Sequence, residues 1–251
     1  MGQRIISYIF LFFLLVTPLV LQAGMGSNNT IKLRYFPRPP FIVSNGGKVS
    51  GTLATTALDA FAQSGIPFEL LETPINRQMA VINNNEGADC GIGWLRNSER
   101  EKFARFTDPI YYSRPWIILA NNKAATAPHH SLDEWMKNQK LRLVLSDRFS
   151  YGSYIDGKIK SNSPNSLSTS ADAQQLIRLV VSGRADYMFS TEEEASFLIN
   201  SAKANTAVRT LYFTEIPKGE SRHIMCSKNV APEIIAKLNK FLLKLDGELR
   251  K

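Results

Sequence analysis

Residues 88–113 read Ala88-Asp-Cys-Gly-Ile-Gly-Trp94-Leu-Arg96-Asn-Ser-Glu-Arg100-Glu-Lys-Phe-Ala-Arg-Phe106-Thr-Asp-Pro109-Ile-Tyr-Tyr-Ser113. A short apolar strand (Cys90 to Trp94) leads into a polar loop, one basic turn and an aromatic Asp-Pro corner. Arg96 and Arg100 follow the strand end. A strand end holds a guanidinium in a fixed place, and a fixed guanidinium grips a carboxylate as a bidentate fork. The segment therefore suggests a carboxylate-binding site. On chemistry alone, a solvated basic turn is the more ordinary reading.

Upstream, Ile31 to Phe36 has the pattern of a strand, broken at Pro37-Arg-Pro-Pro40, and Phe41 to Val43 with Gly46-Gly47 predicts a hairpin. Residues 53–63 have helical spacing, Pro67 to Leu71 is strand-like, and Arg77 to Asn84 is helical ahead of the strand at Ala88 to Ile92. This order predicts an α/β sheet with helices on its faces. The order recurs downstream. Trp116 to Ala120 is a strand, and Ser131-Leu-Asp-Glu134 is a capping box opening a short helix. Leu141 to Leu145 is a strand, and a polar Ser-rich loop is expected to about Ser170. Ala171 to Val181 is an amphipathic helix, and Asp186 to Phe189 a strand. Thr191-Glu-Glu-Glu194 is a second capping box, opening a helix to about Ser201. Val208 to Phe213 and Arg222 to Ser227 are strands, and Pro232 to Leu245 is the last helix. Gln78-Met-Ala-Val-Ile before Ala88-Asp89 echoes Gln175-Leu-Ile-Arg-Leu before Ala185-Asp186. Two similar α/β lobes follow, and clefts between lobes favour ligands. Trp116 to Ala120 and His223 to Ser227 are expected to form the two lobe-connecting strands, which would bend on closure if they lie side by side.

Residues 1–23 have the form of an export signal: Arg4, an uncharged apolar run from Ile5 to Leu21, then Gln22-Ala23. The large Leu21 near the cleavage point leaves an uncleaved anchor as the alternative. No other stretch is apolar for long enough to span a bilayer. The expected location is the periplasm. Removing residues 1–23 removes one base, Arg4, and no acid, so the net charge of +8 becomes +7. The bases are scattered without a block, which argues against nucleic acid. An oxidising compartment permits a Cys90–Cys226 disulfide, but two buried thiols fit the apolar runs around them equally well. His129, His130 and His223 show no metal spacing. No Gly-x-Ser-x-Gly elbow or phosphate-cradling loop is present, and no cofactor is expected.

In this frame the chain resembles the type II periplasmic solute-binding proteins, and is similar to bacterial extracellular solute-binding family 3, the amino-acid receptors of ABC transporters. The resemblance covers about residues 30–246. Its markers are Gly51-Thr-Leu, Gly87-Ala-Asp89, Asn97-Ser-Glu-Arg100, Phe106-Thr-Asp-Pro109 with Tyr111-Tyr112, Ser131-Leu-Asp-Glu134, and Gly183-Arg-Ala-Asp186. It implies a two-lobed periplasmic-binding-protein-like α/β fold, each lobe a mixed sheet flanked by helices. Lobe 1 would comprise residues 24–115 and 222–251, and lobe 2 residues 116–221. It also implies that Arg100 grips a ligand carboxylate. A second-lobe acid often holds the amino group; here Thr191 takes the usual acid position, so Glu192 either substitutes or is only the first turn of a helix. Asn97 replaces the family's threonine in a loop one residue shorter. Ser146-Asp-Arg148-Phe-Ser150-Tyr151 lacks the usual glycine-threonine pair. These departures mark a divergent branch.

The remaining candidates each have a plainer alternative. Arg77 opens a helix toward the cleft or lies in solvent. Trp94 stacks on ligand or packs beneath the loop. Tyr35 and Phe36 wall the cleft or belong to the core. Arg148 and Ser150 follow a second-lobe strand, where ligands sit outside strand ends. The functional expectation is a monomeric, non-catalytic receptor that captures a small polar, carboxylate-bearing solute for an ABC-type permease. The alternatives are a dehydratase-like enzyme on the same scaffold, with Glu192 as its acid, and an envelope sensory module without a transporter.

Overall fold

The structure is a computed structural model that describes residues 30–127, 130–147 and 149–249, with side chains to residue 245. The expected export signal, Arg148 and His129 lie outside the described residues. The chain begins with β1 (Ile31–Tyr35), the hairpin β2 (Val43–Asn45) and β3 (Lys48–Ser50), α1 (Thr52–Gln63), β4 (Phe68–Glu72) and α2 (Ile75–Asn83). It continues through β5 (Asp89–Leu95), the single turn α3 (Ser98–Glu101), β6 (Ala104–Phe106) and β7 (Tyr111–Tyr112). It then crosses to β8 (Trp116–Asn121), α4 (Leu132–Lys137), β9 (Leu143–Ser146), α5 (Ser153–Asn162), β10 (Ser166–Thr169), α6 (Ala173–Val181), β11 (Tyr187–Thr191), α7 (Glu192–Ser201) and β12 (Val208–Leu211). It returns as β13 (Ser221–Ser227) and α8 (Pro232–Leu249).

Two sheets result, in the orders β4-β1-β5-β13-β6, with β7 also on β13, and β10-β9-β11-β8-β12. Each is mixed: β1 runs parallel to β4 and β5 while β13 is antiparallel to β5, and β9 runs parallel to β10 and β11 while β8 is antiparallel to β11. Central β5 is buried along nearly its whole length, as a strand covered on both faces must be. In β1, Ile31, Leu33 and Tyr35 alternate into the core beneath α1.

Three expectations are corrected. First, β8 and β13 lie in different sheets. The Trp116–Ala120 run is wholly buried, so it seeks strand neighbours on both sides rather than an exposed link. The segments that touch at the crossing are 113–114 and 219–220. The Ser113 amide donates to the Glu220 carbonyl at 3.3 Å, and a side chain at Gly219 would overlap the carbonyls of Ser113 and Arg114. Second, the stretch expected as a loop to Ser170 contains α5 and β10. Only Ile155 of α5 is buried and β10 is largely exposed, so neither carries hydrophobic periodicity. Asp133 holds α5 in place by accepting from Lys158 and Asn162 at 2.7 Å each, and β9 supplies the ladder for β10. Third, neither expected capping box closes. Ser131 and Thr191 both cap their helices, but the Glu134 carboxylate turns to the His130 amide and that of Glu194 leaves its helix for Arg38. The reciprocal box is Asp172 with Gln175 on α6.

Cys90 and Cys226 form a disulfide between register partners of β5 and β13, and neither residue is exposed. Nearby, His223 is buried, with Nδ1 at 2.8 Å from the Thr107 carbonyl and Nε2 at 2.8 Å from Ser221 Oγ. A carbonyl only accepts, so Nδ1 carries the proton and neutral Nε2 accepts from the serine hydroxyl. Burial, with Arg96 nearby, holds the His223 pKa below its ordinary value against the opposing pull of the Thr107 carbonyl and, less strongly, of Asp108. A depressed histidine pKa means that the unfolded chain takes up the proton first. The resulting stability is complete above the unfolded pKa of about 6.5 and drains away as pH falls toward the folded value. Urea midpoints of the wild type should fall between pH 7.5 and 5 more steeply than those of His223→Gln; parallel curves would show that this ring contributes nothing.

Candidate functional site

The site lies where the ends of β1, β5 and β13 meet the second sheet. After β1 the chain turns tightly, the Arg38 and Ile42 amides each donating to the other's carbonyl at 2.8 and 3.0 Å. The Phe41 carbonyl also accepts from Leu53 and Ala54 at the start of α1. Gly51 makes that approach possible: its φ is 106°, and a side chain would strike the carbonyls of Pro40 and Phe41. Arg38 is thus presented from a braced loop. Its guanidinium lies between the rings of Phe41 (5.3 Å) and Phe149 (4.9 Å). It grips Glu194 of α7 bidentately at 2.6 and 2.8 Å, joining the two lobes.

Trp94 closes β5. Its indole N–H donates to Gln78 Oε1 at 3.3 Å, and Gln78 Nε2 donates to the Thr73 carbonyl at 2.8 Å. Gly91 leaves the room for this pair, since a Cβ there would overlap the indole nitrogen. Asn97 caps α3 by accepting from the Arg100 amide at 2.9 Å. The cap sets the Arg100 guanidinium 4.9 Å from the Trp94 ring, with Nη1 donating to the Leu95 carbonyl at 2.8 Å. Arg100 is 7% exposed, and among the described residues no carboxylate is within ion-pair distance. Burial lowers its pKa, and only the more distant charge of Asp156 opposes this.

Arg222 of β13 is the third buried guanidinium, 5% exposed. Its Nε donates to Ser113 Oγ at 3.1 Å and its charge lies 6.0 Å from the Trp116 ring. It too lacks an ion-pair partner among the described residues. Burial first, then the fields of Arg38 and Arg100, pull its pKa down to about 9, which leaves it a cation at neutral pH. Arg38, Arg100 and Arg222 all face one cavity of about 280 Å³ including its mouth. Phe36, Trp94, Ile75 and Phe149 form its apolar walls, Gly93 and Leu95 its backbone edge, and Ser150 a polar corner.

Of the expected residues, the structure brings Arg100, Trp94, Phe36 and Ser150 together. Ser150 Oγ donates to Asp156 at 2.6 Å. The others lie elsewhere. Tyr35 is in the core, its hydroxyl near Ser44 and Glu72, and the next residue, Phe36, takes the wall position because strand side chains alternate. Arg77 is exposed on α2 and pairs with Glu86 at 3.5 Å. Glu192 is at the surface, on Arg114 at 3.1 Å. Arg38, Arg222, Phe149 and Glu194 were not anticipated. The available signal was a charge beside the apolar run Ile224-Met-Cys226 at Arg222, and an arginine fixed between prolines at Arg38.

The sequence matches no family model and no curated protein. Solved structures do match. An ancestral arginine-binding protein bound to arginine superposes with a TM-score of 0.68 at 19% identity, over 88% of this chain and 95% of that one. The GluR0 ligand-binding core from Nostoc punctiforme in complex with L-glutamate gives 0.66 at 19%, over 87% and 93%. The substrate-binding protein of an amino acid ABC transporter gives 0.66 at 15%, over 87% and 94%. With two mixed sheets, two crossings and a cleft between them, the chain has the two-lobed α/β fold of the type II periplasmic binding proteins.

Proposed function

We propose that this protein is an exported receptor that captures a small carboxylate-bearing solute between its lobes and delivers it to an ABC-type permease. The observation that carries the reading is Arg100, a buried guanidinium facing the interlobe cavity with a backbone carbonyl as its only polar partner among the described residues. A buried charge is costly until its fork is paired, and a ligand carboxylate would complete it. The solved structures described as binding arginine, glutamate or an amino-acid transporter's substrate support the reading by analogy of fold. The Cys90–Cys226 bond fits an oxidising compartment. No helix among the described residues is long and apolar enough to cross a membrane. The dehydratase-like reading is weakened, because its candidate acid, Glu192, faces Arg114 at the surface rather than the cavity.

The test is a thermal-shift screen of the mature protein against amino acids, dicarboxylates, peptides and sugars. A ligand at a hundred times its Kd should stabilise by about 2.7 kcal/mol. Arg100→Ala should abolish the shift. A full shift in that variant would remove Arg100 from the site, and turnover of the bound compound would favour an enzyme.

A further inference from the structure

We infer that the solute is a small dicarboxylate without an amino group, its two carboxylates taken separately by Arg100 and Arg222. The inference rests on the receptor reading and deepens it.

Three guanidinium groups face the cavity, and among the described residues no carboxylate lines it. Glu194 neutralises Arg38 through both its oxygens, which leaves two buried cations. Arg100 has a carbonyl and Arg222 a serine hydroxyl; neither partner carries charge. Aromatic rings lie against both guanidinium groups, which favours a cation without neutralising it. The two arginines approach from different elements, α3 and β13, so they form two forks rather than one. A ligand with a single carboxylate leaves one of these buried charges uncompensated, whereas a diacid compensates both.

The same cavity offers little to an ammonium group. The acids whose charge reaches these arginines already have partners: Glu194 holds Arg38, Asp156 accepts from Ser150 Oγ and the Tyr151 amide, and Glu220 from the amide and hydroxyl of Ser153. An ammonium would enter a field set by two unpaired guanidinium groups. Phe36, Trp94 and Phe149 instead supply walls for a short methylene chain.

Isothermal titration of the mature protein with glutarate, glutamate, alanine and inorganic phosphate tests this. Glutarate should bind about tenfold or more tighter than glutamate, the same skeleton with an added ammonium, and alanine should be weaker still. Arg222→Gln and Arg100→Gln should each weaken glutarate by about thirtyfold or more. Arg222→Lys keeps the charge but not the fork and should fall between; it also serves if the glutamine variant fails to fold, and the wild-type order of ligands decides the matter independently. If amino acids bind tighter than glutarate, depend on Arg100 and ignore Arg222, the dicarboxylate assignment is overturned and the receptor reading stands. Phosphate binding tighter than glutarate would replace two carboxylates by one compact oxyanion and overturn it too. Failure of every diacid to bind overturns it, and neutral solutes binding independently of Arg100 would overturn both readings.

Discussion

Loss of the Cys90–Cys226 bond is expected to lower the free energy of unfolding by about 4 kcal/mol. The bridge closes a separation of 136 residues that includes every strand of the second sheet. Loop-closure entropy alone gives about 4.7 kcal/mol for a loop of 100 residues, and grows only logarithmically beyond that. Both cysteines are fully buried in the first sheet, so reduction also leaves two thiols in close-packed surroundings. Without the bridge, β13 is held to β5 by its hydrogen-bonded ladder and packing, across a pairing already interrupted by a register shift between His223 and Ile224. Urea midpoints of the oxidised protein, the reduced protein and the Cys90→Ala/Cys226→Ala double variant measure the effect. Coincident midpoints would mean that the bridge restrains nothing. The bond does not link the two lobes, so ligand affinity at a temperature where all three forms are folded should be unchanged.

The sequence made the scaffold legible wherever burial imposes a period. The alternation in Ile31-Lys-Leu-Arg-Tyr35, the apolar run of β8 and the amphipathic α6 each appear in the structure within a few residues of where the pattern puts them. Elements lacking such a period were not visible: α5 and β10 owe their shape to partners such as Asp133 and β9, which lie elsewhere in the chain. The site divides as well. Arg100 stood out mainly through the family resemblance, because the local chemistry of a strand end and a basic turn alone favoured a solvated side chain. Arg38 and Glu194 did not, since they are 156 residues apart and each had an adequate local explanation, one in a proline-rich break and the other in a capping box. Tyr35 and Phe36 were equal candidates in the sequence, and the structure divides them: one residue along the chain exchanges core for cleft.

Glu194→Ala is expected to open the cleft rather than unfold the protein. Removing one partner of a buried ion pair costs about 3–5 kcal/mol, because the other charge is left unpaired. Here the orphan would be Arg38, 10% exposed, held between two phenylalanine rings and sharing a cavity with Arg100 and Arg222. Arg38 and Glu194 stand on opposite lobes, so separating the lobes rehydrates the arginine without disturbing either core. At about 1.4 kcal/mol per factor of ten, that cost changes the closed-to-open ratio by a factor of about a hundred or more. The remaining contacts across the cleft are weaker. Tyr111 donates to Glu193 at 2.7 Å, while Arg114 meets Glu192 and Glu193 from an exposed position, where ion pairs contribute about 0–1 kcal/mol. Small-angle scattering of the unliganded protein should therefore show a larger radius of gyration for Glu194→Ala than for the wild type. The paired variant Arg38→Met/Glu194→Leu removes both charges and leaves apolar side chains among Phe41 and Phe149, so it should remain closed. If the single and double variants scatter alike, the desolvated charge is not what governs the lobes. If the single variant stays closed, the pair is not the latch.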